Sequence, residues 1–275
     1  MSEPRTLGLA LSGGAVLGCA HIGVLQAFDE AGIEVTHLAG TSMGALVASL
    51  YAGGMSGKEI AGITEVLRWP HVTRPSPSRL GLLSQDKLRK TLKAHVGDIR
   101  IEDARIPLAM VTTDISSGEK VVLSKGDLAL AACASACFPG IFIPVEWEGR
   151  LLVDGGLVEN LPLSPLRSWE VDRIIGVDAY LGMTFQRPTR MLNLIKNAVD
   201  IVLAQASQKG VGNVDVLIAP DLKAFSSTDL KDAPGLVEAG YRAAMEVMDQ
   251  LENWGRSAPP TPPFLTDTGS VPKGT

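Results

Sequence analysis

A serine and an aspartate stand in glycine-rich turns, where each could take part in nucleophilic catalysis. Ser42 lies in the pentapeptide Gly40–Gly44, which has the pattern G-x-S-x-G and joins an apolar run to a helix-like run. This strand–turn–helix layout is typical of a nucleophile elbow, in which a tight turn exposes the serine hydroxyl. The crowded backbone favours residues without a Cβ, such as Gly40 and Gly44. We predict that Ser42 is a nucleophile; the alternative is a small-residue turn that packs a helix on a strand.

A second glycine-rich turn lies near the start of the chain, between an apolar strand-like run and a helix-like run. It contains Gly13, Gly14, Ala15 and Gly18. Unpaired N–H groups at such a helix N-terminus bind anions, and in a serine hydrolase the anion is the oxyanion of the tetrahedral intermediate. A dinucleotide-binding loop is the alternative, but Ala15 replaces its middle glycine and Glu34 precedes a strand instead of ending one. Gly13, Gly14 and Ala15 are therefore the expected oxyanion-hole donors.

Asp154 follows a short apolar run and precedes Gly155 and Gly156. Because Asp-Gly is a common turn dipeptide, a plain turn is the alternative to a functional carboxylate. All four histidines, at positions 21, 37, 71 and 95, precede Asp154, which excludes the Ser–acid–His order of α/β-hydrolases. If Ser42 is a nucleophile, its base is then a carboxylate, and Asp154 is the leading candidate.

The order and spacing of several motifs resemble those of patatin-like phospholipases, which share the fold and chemistry of the cytosolic phospholipase A2 catalytic core. These motifs are the glycine-rich loop with Gly13, Gly14 and Gly18, the run Ala20–Leu25, the elbow around Ser42, Thr113-Asp114 ahead of Gly118-Glu119, the run Ala134–Phe142, and Asp154-Gly155-Gly156 followed by Asn160 and Pro162. The resemblance implies an α/β fold, a three-layer α/β/α sandwich with a mostly parallel central sheet. It also implies a Ser42–Asp154 catalytic dyad and acyl esters of lipids as substrates.

Two positions of the glycine-rich loop depart from the family pattern. Leu17 stands where many members have a basic residue, and Ala15 stands in place of the usual third glycine. Loss of a guanidinium removes a charge-assisted hydrogen bond worth about 1.5–3 kcal/mol. Oxyanion stabilisation would then depend on backbone N–H groups and the helix dipole. The alternative function is therefore a catalytically weak homologue that acts as a lipid- or protein-binding module.

The expected function is a serine acyl-ester hydrolase of the phospholipase A or lysophospholipase type, with acyl transfer as a variant that the sequence does not distinguish. Ser42 would attack an ester carbonyl while Asp154 accepts its proton, and water would then release the acyl group. A carboxylate with the ordinary pKa of about 3.9 is a weak base for serine, so we expect burial to raise the pKa of Asp154. We expect no cofactor and no metal, because the three cysteines form no ligand cluster with histidines or acids.

Length and composition predict one large α/β domain over residues 1–255, followed by a proline-rich disordered tail over residues 256–275. The net charge of −5 argues against nucleic acid as a partner. Uncharged stretches at 6–28, 35–57 and 128–145 are interrupted by polar residues, glycine or proline, and the first runs into a glycine-rich turn. We interpret them as buried core, not as membrane spans or a signal peptide, and expect a cytoplasmic protein. The sequence does not indicate the oligomeric state.

Residues 68–95 are locally basic. They contain Arg68, Arg74, Arg79, Lys87, Arg89, Lys90 and Lys93 against the single acid Asp86, with Trp69, Leu80, Leu82 and Leu83 interleaved. Such a segment could make peripheral contact with a membrane surface. The favoured alternative is the solvated face of one helix next to a proline-rich loop.

Alternating strand-like and helix-like runs favour a mostly parallel sheet. Strands are predicted near 7–11, 35–39, 107–113, 119–123, 142–145, 151–153, 173–178 and 214–218, and helices near 16–31, 44–53, 57–67, 85–95, 127–135, 190–209 and 234–252. Ser56 and Ser84 are the expected N-caps of two of these helices.

Overall fold

The computed structural model describes residues 6–252 except 67–68, 77, 184 and 186. In chain order its strands are β1 (Leu7–Leu11), β2 (His37–Thr41), β3 (Arg74–Pro75), β4 (Leu83–Ser84), β5 (Leu108–Asp114), β6 (Lys120–Leu123), β7 (Val145–Trp147), β8 (Arg150–Asp154), β9 (Arg173–Val177) and β10 (Val216–Ile218). Its helices are α1 (Ala20–Ala31), α2 (Met43–Ala52), α3 (Gly57–Val66), α4 (Trp69–Val72), α5 (Asp86–Val96), α6 (Leu128–Ser135), α7 (Leu163–Ser168), α8 (Met191–Val211), α9 (Ala233–Met245) and α10 (Met248–Glu252). Short 3₁₀ turns cover Ala15–Cys19, Ile101–Asp103, Gly155–Leu157 and Leu230–Asp232.

The central sheet has the strand order β10-β9-β1-β2-β5-β8-β7, and β6 also pairs with β5. The strands from β10 to β5 are parallel, whereas β6 and β8 run antiparallel to β5. The predicted mostly parallel sheet is therefore confirmed. Since β1 and β2 are parallel neighbours, the loops that follow them meet at one edge of the sheet, which is where open α/β sheets place their ligand sites.

Helices cover both faces of the sheet. Successive side chains of a strand point to opposite faces, so apolar residues of one strand pack on both layers of helices. In β1, Leu9 and Leu11 join the large core cluster that includes Phe28 of α1, while Ala10 joins a smaller cluster with Leu166 of α7. The predicted three-layer α/β/α sandwich is confirmed. No helix in the described part of the chain has the length and apolar character needed to cross a membrane.

Several predicted element boundaries differ from the structure. The strand predicted at 142–145 begins only at Val145, because residues 138–142 form a turn in which the Phe142 N–H donates to the Phe138 carbonyl (3.0 Å). The helix predicted at 234–252 is divided into α9 and α10, and the helix predicted from residue 16 begins as a 3₁₀ turn. The short α7 was not predicted, since prolines at 162 and 165 obscure it.

One predicted cap is confirmed and the other is displaced by one residue. The Ser56 hydroxyl accepts from the Glu59 N–H (3.3 Å), and the Glu59 carboxylate accepts from the Ser56 N–H (2.8 Å), which is a capping box. Ser84 precedes the N-cap Gln85, although its hydroxyl accepts from the Asp86 N–H (3.1 Å). The tail predicted at 256–275 lies outside the described residues.

Candidate active site

Folding brings Ser42 and Asp154 into direct contact. The Ser42 Oγ donates a hydrogen bond of 2.6 Å to Asp154 Oδ2. Strand β5 lies between their strands: Val111 pairs with Thr41, and Thr112 pairs with Asp154. Two residues that are 112 positions apart in sequence therefore meet across one intervening strand.

The turn that carries Ser42 has the geometry of a nucleophile elbow. Ser42 has φ 54° and ψ −121°, a left-handed conformation that costs a non-glycine residue on the order of 1–3 kcal/mol. A Cβ on Gly40 would lie 2.5 Å from the Ala45 Cα, and one on Gly44 would lie 2.2 Å from the Leu11 carbonyl oxygen. Both glycines are therefore required for the close approach of α2 to the sheet.

A second serine, Ser135, makes a hydrogen bond to the backbone of the elbow. The Ser42 N–H donates to the Ser135 Oγ (2.9 Å), and the Ser135 hydroxyl donates to the Val111 carbonyl (2.6 Å). Ser135 is fully buried at the end of α6. Sequence reasoning placed this residue in a family motif but gave it no role, because a serine in an alanine-rich helix carries no local signal of its partners.

We expect Ser135→Ala to reduce both activity and stability. The substitution leaves the Ser42 N–H and a buried carbonyl without their partner, which costs about 1–3 kcal/mol, and a displaced nucleophile would lower kcat/KM by about tenfold or more. Ester hydrolysis and chemical unfolding measure the two effects. Ser49→Ala is the matched control, because the buried Ser49 hydroxyl bonds the Ala45 carbonyl of its own helix (2.7 Å). Equal kcat/KM in the two variants would refute a positioning role for Ser135.

Asp154 is held in an apolar setting and is only 2% exposed. Its Oδ1 accepts from the Gly156 N–H (2.9 Å), and the Thr113 hydroxyl donates to its carbonyl (2.8 Å). Burial raises the pKa of Asp154 to about 6, and the charge of Asp200 also raises it. The hydrogen bonds from Ser42 and Gly156 act in the opposite direction. The carboxylate is thus a stronger base than an ordinary aspartate and is still mostly ionised at neutral pH.

The two glycines after Asp154 allow the turn to pack closely. A Cβ on Gly155 would lie 2.1 Å from the Val111 carbonyl oxygen, and one on Gly156 would lie 2.1 Å from a Leu203 methyl group of α8. Gly18 has a similar role in the first loop, where a Cβ would lie 2.6 Å from the Met43 Cγ.

The glycine-rich loop offers fewer free N–H groups than the sequence suggested. The Gly13 N–H donates to the Asn160 carbonyl (3.1 Å), which makes Gly13 the least favoured of the three predicted oxyanion donors. The N–H groups of Gly14 and Ala15 have no acceptor in the described part of the chain. Ala15 also lines the same cavity as Ser42, which leaves Gly14 and Ala15 as candidate donors.

We expect Ala15→Gly to raise kcat/KM several-fold without loss of stability. Ala15 has φ 45°, and a left-handed residue with a Cβ costs about 1–2 kcal/mol, so glycine relieves strain and opens the approach to the N–H groups. The same substitution at the exposed helical Ala94 is the control and should destabilise by about 1 kcal/mol. A fall in kcat/KM, or a loss of stability equal to that of Ala94→Gly, would contradict the prediction. Steady-state kinetics measures kcat/KM, and thermal unfolding measures the stability of each variant.

An apolar cavity of about 480 Å³ contains the dyad, within the usual size range of small-molecule sites. Besides Ser42 and Asp154, its lining includes Ile22, Leu46, Leu50, Ile63, Leu88 and Phe142. The Ser42 hydroxyl and the Asp154 carboxylate thus face an apolar space. Residues 9–167 match the protein family described as Patatin-like phospholipase.

The chain belongs to the patatin-like phospholipase family. It is 38% identical over 179 residues to "Uncharacterized NTE family protein Rv1063c" of Mycobacterium tuberculosis, a match that covers 64% of this chain and 49% of that protein. It is 28% identical over 287 residues to "Lysophospholipase NTE1" of Pyricularia oryzae, which covers 91% of this chain and 19% of that protein. The chain therefore spans about half of the first relative and a smaller share of the second.

Solved structures share the fold of this patatin-like domain. VipD from Legionella pneumophila has a TM-score of 0.56 at 17% identity, with 90% of this chain and 67% of that chain covered. The type III effector protein ExoU has a TM-score of 0.52 at 16% identity, with 90% and 54% covered. At these identities the similarity concerns the fold.

Two histidines of this patatin-like protein, His21 and His37, make contacts that stabilise the fold and do not contact Ser42. His21 is fully buried and its Nε2 lies 2.8 Å from the Ser12 carbonyl oxygen. Burial lowers the pKa of His21 to about 4, so its ring is neutral at pH 7. Because a carbonyl oxygen can only accept, Nε2 is assigned as the nitrogen that carries the proton and donates. His37 bonds the Thr36 hydroxyl through Nδ1 and contacts Trp169. His95 lines the apolar cavity, but the Ser42 hydroxyl bonds Asp154 and not a histidine.

Most of the described cations in segment 68–95 are paired within the protein. Arg74 bonds Asp86, and both Arg89 and Lys93 bond Asp127, the N-cap of α6. Lys87 donates to a backbone carbonyl (2.7 Å), while Arg68 lies outside the described residues. These pairings favour the solvated-face interpretation of the basic run.

Proposed function

We propose that this patatin-like protein hydrolyses acyl esters of lipids, with Ser42 as the nucleophile and Asp154 as its general base. The observation that carries the proposal is the 2.6 Å hydrogen bond from the Ser42 hydroxyl to a buried carboxylate. The family description, Patatin-like phospholipase, and a relative named as a lysophospholipase support the lipid class of substrate.

The chemistry follows from the geometry of the dyad. Asp154 Oδ2 accepts the Ser42 proton as Oγ attacks the ester carbonyl, and the N–H groups of Gly14 and Ala15 stabilise the oxyanion. Protonated Asp154 then gives its proton to the leaving alcohol, and an acyl-enzyme remains. Water attacks this ester with Asp154 again as base, which releases the fatty acid and restores the serine.

The cavity favours a lipid with one acyl chain, so we propose the lysophospholipase type. Its volume of about 480 Å³ is at the lower end of the range for ligand pockets. The experiment is to incubate the protein separately with a lysophospholipid, a diacyl phospholipid and a short-chain nitrophenyl ester, and to quantify the released acid by mass spectrometry. We expect Ser42-dependent release, largest from the single-chain lipid. Equal release by wild type and Ser42→Ala would instead favour the binding-module alternative.

Peripheral contact with a lipid surface through residues 68–95 remains a prediction, as does the cytoplasmic location. Trp69, Leu80 and Leu82 are exposed, and Trp69 also lines the apolar cavity. If this segment meets a lipid surface, its apolar side chains are the better candidates for contact, because most of its described cations already have partners.

A further inference from the structure

A second cavity, of about 580 Å³ and polar in character, adjoins the apolar one. The residues that line both cavities are Asn193, Lys196, Asp200, Ser227 and Thr228. The glycine-rich loop contributes to both cavities, since Ala15 lines the apolar one and Leu17 lines the polar one. The apolar cavity that contains Ser42 is therefore bordered by the polar cavity along these shared residues.

The polar cavity carries a local excess of positive charge in a protein whose net charge is −5. Its charged lining residues are Arg187, Lys196 and Lys223 against the single carboxylate Asp200. Arg187 and Lys223 are exposed, and neither has a carboxylate partner in the described part of the chain. Concentrated cations in a cleft attract anionic ligands.

Lys196 is fixed in place by a buried partner. Its Nζ lies 2.5 Å from Asp200 Oδ2, and the Tyr180 hydroxyl donates to Asp200 Oδ1 (3.0 Å). The Asp200 side chain is only 2% exposed. Because an ammonium group has three N–H donors, the pairing with Asp200 leaves Lys196 able to bind a second acceptor.

We propose that the polar cavity is a phosphate-binding subsite, with Lys196, Lys223 and Arg187 as its ligands. The proposal rests on the proposed function: the acyl chain occupies the apolar cavity, the ester lies at Ser42, and a phosphate attached to the glycerol part reaches the cations. Leu17 brings no charge to this cavity. Its cations are Lys196 of α8 together with Arg187 and Lys223. A neutral glyceride would leave these cations without an anionic partner.

The test compares two single-chain esters that differ only in phosphate, 1-acylglycerol and 1-acylglycerol 3-phosphate, presented as monomers. The measured quantity is the ratio of their kcat/KM values in the full chain. We expect wild type to prefer the phosphate ester, and the double variant Arg187→Gln/Lys223→Gln to lower the ratio at least about tenfold, since each lost charge-assisted hydrogen bond is worth about that much. Lys196 stays unchanged, because its loss would leave the buried Asp200 carboxylate unpaired.

The control variant Lys58→Gln/Lys125→Gln removes the same charge from exposed lysines that do not line the cavity. It should keep the wild-type ratio. An unchanged ratio in the cavity variant, or an equal fall in the control, would overturn the proposal. Inhibition of 1-acylglycerol hydrolysis by inorganic phosphate, without preference for the phosphate ester, would assign the cavity to free phosphate and refute the headgroup subsite. Absence of Ser42-dependent hydrolysis of both esters would instead defeat the proposed function, and this inference with it.

Discussion

Replacement of Ser42 by alanine should lower kcat for ester hydrolysis by on the order of 10⁴ or more. The hydroxyl is the only group proposed to form the acyl-enzyme, and the described structure places no second serine against Asp154 Oδ2. The variant should fold like the wild type, because the side chain is partly exposed to the cavity. Steady-state kinetics with a nitrophenyl ester and unfolding curves measure the two quantities.

A comparison with Ser42→Gly separates catalysis from backbone strain. Both variants should be inactive, but glycine accepts φ 54° without the cost of a Cβ, so Ser42→Gly should be more stable than Ser42→Ala by on the order of 1 kcal/mol. Activity retained by both variants would show that the nucleophile lies elsewhere. Equal stability of the two would show that the elbow is not strained.

Replacement of Asp154 by asparagine should lower kcat by about 10²–10⁴, the usual contribution of a general base. Asparagine preserves the shape and can still accept from the Gly156 N–H, but it cannot take the Ser42 proton. In the wild type, kcat/KM should fall as pH decreases through about 6, where Asp154 becomes protonated. A pH–rate profile of the variant should lack this limb.

The same variant should be more stable than the wild type above pH 6. The carboxyl has a pKa of 3.8 when unfolded and about 6 when folded, so between these values the folded state binds more protons and the free energy of unfolding falls as pH rises. At about 1.4 kcal/mol for each pKa unit, the uncharged asparagine should be more stable by on the order of 3 kcal/mol at pH 8 and by little near pH 4. Chemical unfolding at the two pH values measures the difference.

Asp178→Asn serves as the control for the effect on the pH–rate profile. Asp178 is also buried, and burial raises its pKa, but it bonds Tyr180 and Ser207 instead of Ser42. The Asp178→Asn variant should therefore retain the acid limb of the pH–rate profile. Loss of that limb in Asp178→Asn, or its persistence in Asp154→Asn, would assign the titration to a different group.

The pairing of Ser42 with Asp154 could be predicted from sequence, because each of the two residues stands in a recognisable local pattern. The elbow around Ser42 and the Asp154-Gly155 turn are short patterns, and the absence of a later histidine made the carboxylate the remaining base. Strands β2 and β8, which lead to these two residues, could also be predicted, because both appear in the sequence as short apolar runs.

The supporting contacts could not be predicted, because they join residues that are distant in sequence. No local pattern shows that Ser135 accepts from the Ser42 N–H, or that Asn160 occupies the Gly13 N–H. The pairing of Arg89 and Lys93 with Asp127 likewise depends on how α5 packs against α6. Charge counts along the chain therefore overstated the free basic surface of residues 68–95.

The most direct test of the Ser42–Asp154 dyad is mass spectrometry after treatment with an organofluorophosphonate at several pH values. A single adduct is expected on the peptide that contains Ser42, formed more slowly below about pH 6, and with this pH dependence absent in Asp154→Asn. An adduct on a different serine, or no adduct on the folded protein, would contradict a nucleophile at Ser42 activated by Asp154.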